Sequence, residues 1–314
     1  MTIRNQPVRI SGSPALRGPR LMIVLALGVL YFGWGSTFLA IRLALESYPP
    51  LLMASYRYLA AGIVLYTISV AKGVRPPTRT EWINAAITGT MLLCTGNGLV
   101  CYAEQTVSSG MTAVALGAMP LFVAIFGLAC GQRLRWLESL GLVVGLAGVL
   151  VLDLTGAMKS TPAGASALML ASVSWALGSV WSRYRDMPAT SMNAAAQMLV
   201  GGVVLLAFGY ASGEQAPRAP TLGATAALIY LVILGSLIGF SAYLFLLKTV
   251  RPALATSYAY VNPPVAVLIG ALISGEAVAG LELLAMVIIV LGVVLVSWGR
   301  DRSDVGLSAK VAMR

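Results

Sequence analysis

The sequence predicts an all-α polytopic membrane protein, with ten transmembrane helices arranged as two inverted five-helix repeats. Three observations predict it. The 314 residues are 58% hydrophobic and only 10% charged, whereas a soluble domain carries about 25% charged residues. Ten apolar runs approach the ~20 residues that a helix needs to cross a bilayer. Unusual features of the first half recur in the second at a nearly constant offset.

The runs lie at 21–44, 51–71, 82–103, 107–129, 136–154, 163–182, 190–212, 222–246, 253–274 and 281–299. Several connections are only a few residues long, so neighbouring spans form antiparallel hairpins. Pro49–Pro50, Pro76–Pro77, Pro188 and the PRAP of 217–220 mark the turns. A tail of 1–20 precedes a first repeat of 21–156; a second repeat of 157–300 precedes a tail of 301–314. The basic tail ahead of a long apolar run reads as a signal-anchor rather than a cleaved leader.

A pI near 9.8 would suit a nucleic-acid binder, but the basic residues sit singly and in pairs between apolar runs. They follow the positive-inside pattern instead. With a cytoplasmic N-terminus, seventeen of the 21 Lys and Arg residues fall on the inner side, including Arg75, Arg79, Arg183, Arg185, Lys248 and Arg251. Only Lys159 and Arg218 fall outside, and Arg42 and Arg57 lie within spans. Both termini are therefore expected in the cytoplasm.

The repeat shows best in 252–276, where Pro263 and Pro264 interrupt an apolar helix behind Thr256, Ser257, Tyr258, Tyr260 and Asn262. The prolines leave the carbonyls of Ala259 and Tyr260 without their helical donors, which predicts a break there. Its echo is 109–131, with Pro120 aligned to Pro263 at an offset of 143. Glu138 aligns with Glu282, and GVLVL (148–152) with GVVLV (292–296), at an offset of 144. Trp34, Gly35 and Ser36 are loosely matched by Trp175, Gly178 and Ser179. Five spans per half is an odd number, so the second half enters the membrane from the opposite side. That arrangement supports alternating access around a midplane site, with solute held at broken helices.

Absences narrow the chemistry. There is no histidine, which removes Ser–His and Cys–His catalysis, and no P-loop motif is present. No enzyme activity, metal or cofactor is expected. Cys94, Cys101 and Cys130 read as small hydrophobes within or at the ends of apolar runs. The candidate cavity wall is Trp34, Ser36 and Thr37 in span 1, Thr95 and Asn97 within CTGNG in span 3, Trp175 and Ser179 in span 6, and Tyr258 with Asn262 in span 9. Thr256 and Tyr260 occupy the opposite face of span 9 at 100° per residue, so one pair or the other lines the cavity. Trp136, Trp181 and Trp298 read as an interfacial belt. Arg57 and Glu104, with Arg42 and Glu46 nearby, form a candidate outer gate, because intramembrane charges tend to pair inside the bundle. Few charges lie near the midplane, leaving no obvious counter-ion for a strongly charged solute. GLVVG (141–145) and GSLIG (235–239) are small-xxx-small packing motifs.

GWGSTFLAIR (33–42), ESYPPLLMASYRYLAAG (46–62), GNG (96–98), AEQ (103–105) and PALATSYAYVNPPVAVLIG (252–270) resemble the EamA-type exporters of the drug/metabolite transporter superfamily. The resemblance covers approximately 20–300. It implies ten helices in two inverted halves, with spans 1–4 and 6–9 around a central cavity and spans 5 and 10 to one side. Related members export amino acids, aromatic ones included, or other small metabolites. The expected function is export of small metabolites, amino acids first, across a bacterial inner membrane. The expected partners are the solute and the lipid bilayer; the chain is expected to act as a monomer, without nucleic acid. A lipid-carrier flippase of the same fold and a non-cycling channel are the alternatives.

Overall fold

The computed structural model describes residues 17–132, 134–153, 161–274 and 280–298, and all regular structure among them is helical. Span 1 is Arg17–Gly28, Val29–Trp34 and Gly35–Leu45 in continuous succession; span 2 is Pro50–Ala71. Span 3 runs Arg79–Gly89, Thr90–Gly98 and Leu99–Ala103, and span 4 is divided into Ser109–Leu116 and Met119–Ala129. Trp136–Asp153, Pro162–Arg183 and Thr190–Ala211 form spans 5, 6 and 7. Span 8 joins Leu222–Tyr230, Leu231–Phe240 and Ser241–Thr249; span 9 is divided into Pro252–Ala255 and Tyr258–Ser274; Gly280–Trp298 is span 10. Seven of these are long and apolar enough by themselves to cross a membrane, and spans 5 and 10 contain shorter apolar helices. Large apolar side chains such as Phe32, Ile63, Val143 and Leu272 are exposed on their outer faces, as lipid contact requires.

Local chemistry sets the ends. Thr78 opens span 3 with a reciprocal capping box to Glu81, and Thr161 and Thr221 cap spans 6 and 8 through their hydroxyls. Span 2 is capped from across the molecule: the Glu214 carboxylate accepts from the amides of Leu51 (3.0 Å) and Leu52 (2.8 Å). That places a negative charge on donors that have no partner within the helix. Gly73, Gly131 and Gly213 take positive φ just beyond spans 2, 4 and 7, where a side chain would strain the turn.

The inversion is visible in equivalent helices that lie against each other. Span 2 packs on span 7 with Leu52 against Gly209, Leu59 against Gly202 and Gly62 against Met198. As one number rises the other falls, so the two run antiparallel. Ser55 bonds the Gly202 carbonyl at 2.8 Å within the same seam. Spans 5 and 10 repeat the relation, with Gly141 against Val296, Gly145 against Gly292 and Gly148 against Ile289. A Cβ on Gly292 would stand 2.5 Å from the Gly145 nitrogen, so GLVVG lets the two backbones approach closely. The remaining contacts obey the same exchange: span 1 meets spans 8 and 9 as span 6 meets spans 3 and 4.

Three segments depart from α-helical winding. Val29–Trp34, Thr90–Gly98 and Leu231–Phe240 are π-helical. The latter two occupy equivalent places in spans 3 and 8. Such segments are rare and collect at functional sites.

The structure also moves the breaks. Span 9 is interrupted at Thr256–Ser257, and the second helix continues through Pro263 and Pro264. The hydroxyls there explain the place: Thr256 Oγ1 donates to the Pro252 carbonyl (2.9 Å) and Ser257 Oγ to that of Leu254 (2.8 Å), in competition with backbone donors. In span 4 the break is at Gly117–Ala118, and Pro120 stands in the first turn of the restarted helix, where its missing N–H costs nothing. The prolines thus follow the interruptions, in the case of span 9 by more than one turn.

Candidate functional site

The three π-helical segments and the restarted helix of span 9 converge on a central cavity. Its wall is built from spans 1, 2, 3, 4, 6, 8 and 9. Span 7 is given over to packing on span 2, and spans 5 and 10 stand aside. The enclosed space is about 60 Å³, room for a few water molecules. A polar vestibule of about 740 Å³, carrying Arg183, Arg185 and Lys248, lies toward the ends of spans 6 and 8. Another of about 500 Å³, with Glu46, Tyr48, Gln105 and Glu214, opens at the opposite end.

The aromatic side of the cavity is a cluster of rings. Trp34 meets Tyr258 at 4.8 Å and Trp175 at 5.7 Å between centroids, both edge-on, and Tyr243 at 5.4 Å. Edge-to-face pairs at such separations are the favoured aromatic geometry. Trp34 donates from Nε1 to the Gly235 carbonyl at 3.0 Å. A Cβ on Gly239 would fall 2.2 Å from that same nitrogen, and one on Gly235 would fall 2.6 Å from Arg57 Nη2. The GSLIG segment therefore makes room for Trp34 and Arg57.

One turn toward the basic vestibule, Tyr243 closes the cavity. Its hydroxyl oxygen accepts from Trp175 Nε1 (3.0 Å) and bonds Ser179 Oγ (2.5 Å). Arg183, a further turn along span 6, donates to the carbonyls of Leu247 and Val250 at the end of span 8. Beside this layer, Glu138 receives the Arg251 guanidinium and the Arg135 amide, tying the start of span 5 to the start of span 9. The side chain of Glu282, its counterpart in the repeat, lies outside the described residues.

Of the residues singled out from the sequence, Trp34, Thr37, Asn97, Trp175, Tyr258 and Asn262 line the cavity. Thr37 donates to the Trp34 carbonyl (2.7 Å). With its amide nitrogen turned toward span 1, Asn262 donates to the carbonyls of Leu30 (3.2 Å) and Tyr31 (3.3 Å) in the π-helical segment, and to that of Tyr258 (3.1 Å). Tyr260 faces away, packed on Gly145 with its hydroxyl donating to the Leu142 carbonyl. Ser36 is bound to Gly33 and Tyr230 and is not part of the wall. Thr95 is absent from the wall as well, and Ser179 serves the closing layer beneath it.

The charges differ from expectation. Arg57 and Glu104 are both buried, but no hydrogen bond joins them. Arg57 lies in the cavity wall, donating to Ser236 (2.7 Å) and, at the long distance of 3.4 Å, to Asn97. Both carboxylate oxygens of Glu104 are without a hydrogen-bond partner among the described residues. Arg42 is exposed. In place of a carboxylate Arg57 has neutral partners: π-helical winding in spans 3 and 8 brings Asn97 and Ser236 to it and makes its burial tolerable. Cys101 is buried, but Cys130 is exposed at the end of span 4. Tyr243, Phe240 and Ser236 are the site residues that sequence reasoning missed. The signal was a run of aromatics inside span 8 and a serine between the glycines of GSLIG, both obscured by that span's high hydropathy.

The sequence profile of the EamA-like transporter family matches residues 20–153 and again 162–298. An inner membrane transporter of Escherichia coli, YedA, described as uncharacterized, is 44% identical over 88% of this chain and 90% of its own length. A probable terminal-alkyne amino-acid exporter of Streptantibioticus cattleyicolor is 26% identical over 87% of this chain and 93% of its own. A crystal structure with 21% identity superposes with a TM-score of 0.71 over 88% of this chain and 96% of that one, a likeness of fold. The chain belongs to the EamA-like transporter family.

Proposed function

We propose that this EamA-family membrane transporter exports small metabolites, amino acids foremost, across a bacterial inner membrane by alternating access. The observation that carries the reading is the central cavity: seven spans drawn from both inverted halves meet at one ring-lined space between two polar vestibules. Indole and phenol faces, an amide and a guanidinium suit an amphipathic solute with an apolar body and a polar end. The named amino-acid exporter among its relatives and the inner-membrane description of the 44% identical one favour the same substrate class and location. Each repeat, 21–156 and 157–300, forms one half of the moving machine, and both termini are cytoplasmic.

In the state seen here the cavity is too small for an amino acid, so transport requires the bundle to open. On the cytoplasmic side the closing layer is Tyr243 with Trp175 and Ser179. On the outer side Arg57 and Glu104 are the gate charges. The test is uptake of a panel of labelled amino acids by proteoliposomes, beside Trp34→Ala and Asn262→Ala. Saturable flux that falls at least tenfold in both variants, with protein abundance unchanged, is the expected result. Flux no faster than empty liposomes for every amino acid would overturn the substrate assignment.

A further inference from the structure

The cavity contains a guanidinium without a counter-ion. Arginine keeps its charge at any working pH, and a charge buried without compensation costs several kcal/mol. Arg57 is 3% exposed, and among the described residues no carboxylate forms an ion pair with it. What stabilises it is neutral: Ser236 Oγ, Asn97 Oδ1 and the face of the Tyr58 ring, 4.9 Å from Cζ. Among the described residues its Nη2 has no acceptor, and Nη1 makes only the 3.4 Å contact with Asn97. The Nη1–Nη2 edge, the part of the fork that grips a carboxylate through two parallel bonds, is therefore uncommitted in a side chain that lines the cavity. Gly235 leaves that edge free, since any Cβ there would stand 2.6 Å from Nη2.

We propose that Arg57 is the anchor for a carboxylate on the transported solute, so that the protein selects carboxylate-bearing metabolites and rejects their amides and amines. The proposal rests on the transporter reading above and narrows it to the group recognised. The solute's carboxylate takes the free edge of Arg57, and its apolar body lies against Trp34, Trp175 and Tyr258. Glu104, 4% exposed with two oxygens unpartnered among the described residues, does not occupy the fork and leaves it to the solute.

The probes are L-phenylalanine, 3-phenylpropionate, L-phenylalaninamide and 2-phenylethylamine, with L-leucine and L-leucinamide as a second pair. Binding to the purified protein is followed by the fluorescence of the cavity tryptophans, and flux of labelled phenylalanine and leucine by proteoliposomes. The expected result is saturable binding of the acids and at least about thirtyfold weaker binding of the amides and amine. In Arg57→Gln the preference between acid and amide is expected to collapse to within about threefold, since the two present the same apolar body and differ only at the group that the fork would grip. Arg57→Lys keeps the charge without the fork and retains part of the preference. It also guards against a variant that merely fails to fold, since both must match wild type in monodispersity. Amides that bind as well as acids, or no binding of any acid, overturn the anchor. Discrimination that is absent while flux remains saturable overturns the anchor alone; no flux from any probe overturns the transport reading with it.

Discussion

Tyr243 shows how much a single hydroxyl can govern. It holds Trp175 and Ser179 in one layer between the cavity and the basic vestibule, while its ring packs on Trp34 and Tyr258. Tyr243→Phe keeps the ring contacts and removes both bonds. A buried hydrogen bond is worth about 1 kcal/mol net, so losing two is expected to raise the population of the open state on that side about thirtyfold. In a variant whose own cysteines are replaced by alanine, Ser172→Cys places a thiol in the cavity wall. Its labelling from the vestibule side is expected to accelerate by that factor when Tyr243→Phe is added; an unchanged rate would show that the layer does not gate. Gly239 makes a second residue-scale case. Any Cβ there meets Trp34 Nε1 at 2.2 Å, so Gly239→Ala is expected to lower stability by about 1–3 kcal/mol, read as a fall in melting temperature in detergent. The rings of the cavity were visible in the sequence at Trp34, Trp175 and Tyr258, since large aromatics deep within spans need an explanation. Tyr243 was not, because nothing in a single sequence tells which turn of span 8 faces inward.

At the scale of the element, helix lengths were legible in the apolar runs and several turns in their prolines, whereas the threonine caps and positive-φ glycines at the helix ends were not read. The π-helical segments were not. An extra residue per turn leaves no compositional trace, yet it is this winding that aims Asn97 and Ser236 at Arg57. The interruption in span 9 was placed too late for a related reason: a proline announces a lost donor, whereas the hydroxyls of Thr256 and Ser257 decide where the helix gives way. A double variant, Thr256→Ala with Ser257→Ala, removes that competition. It is expected to favour continuous winding from Pro252 onward and to draw Tyr258 away from Trp34. Phenylalanine-induced quenching of the cavity tryptophans would then fall, while the melting temperature stays level or rises. Quenching equal to wild type would mean that the interruption is held by tertiary packing alone.

For the whole molecule, the inversion follows from parity and is written directly into the packing, since spans 2 and 7, and spans 5 and 10, are equivalent helices running in opposite directions. An even number of spans puts both termini on one side, and loop charge is the ground on which that side is proposed to be the cytoplasm. Cys130 offers a test without engineering. It is exposed at the end of span 4, beside Gly131 and five residues before Arg135, on the side assigned to the termini. Cys101 is buried and Cys94 half-buried in span 3, so a membrane-impermeant maleimide has one accessible target among the three. Inside-out vesicles are expected to label and intact spheroplasts to remain unlabelled. Labelling of spheroplasts alone would turn the molecule over. The Tyr243 layer would then face the periplasm and Arg57 with Glu104 the cytoplasm, and the same anchor would serve uptake rather than export. The direction of transport therefore hangs on loop charge, while the recognition of the solute hangs on a buried arginine whose setting is the same whichever way the protein is inserted.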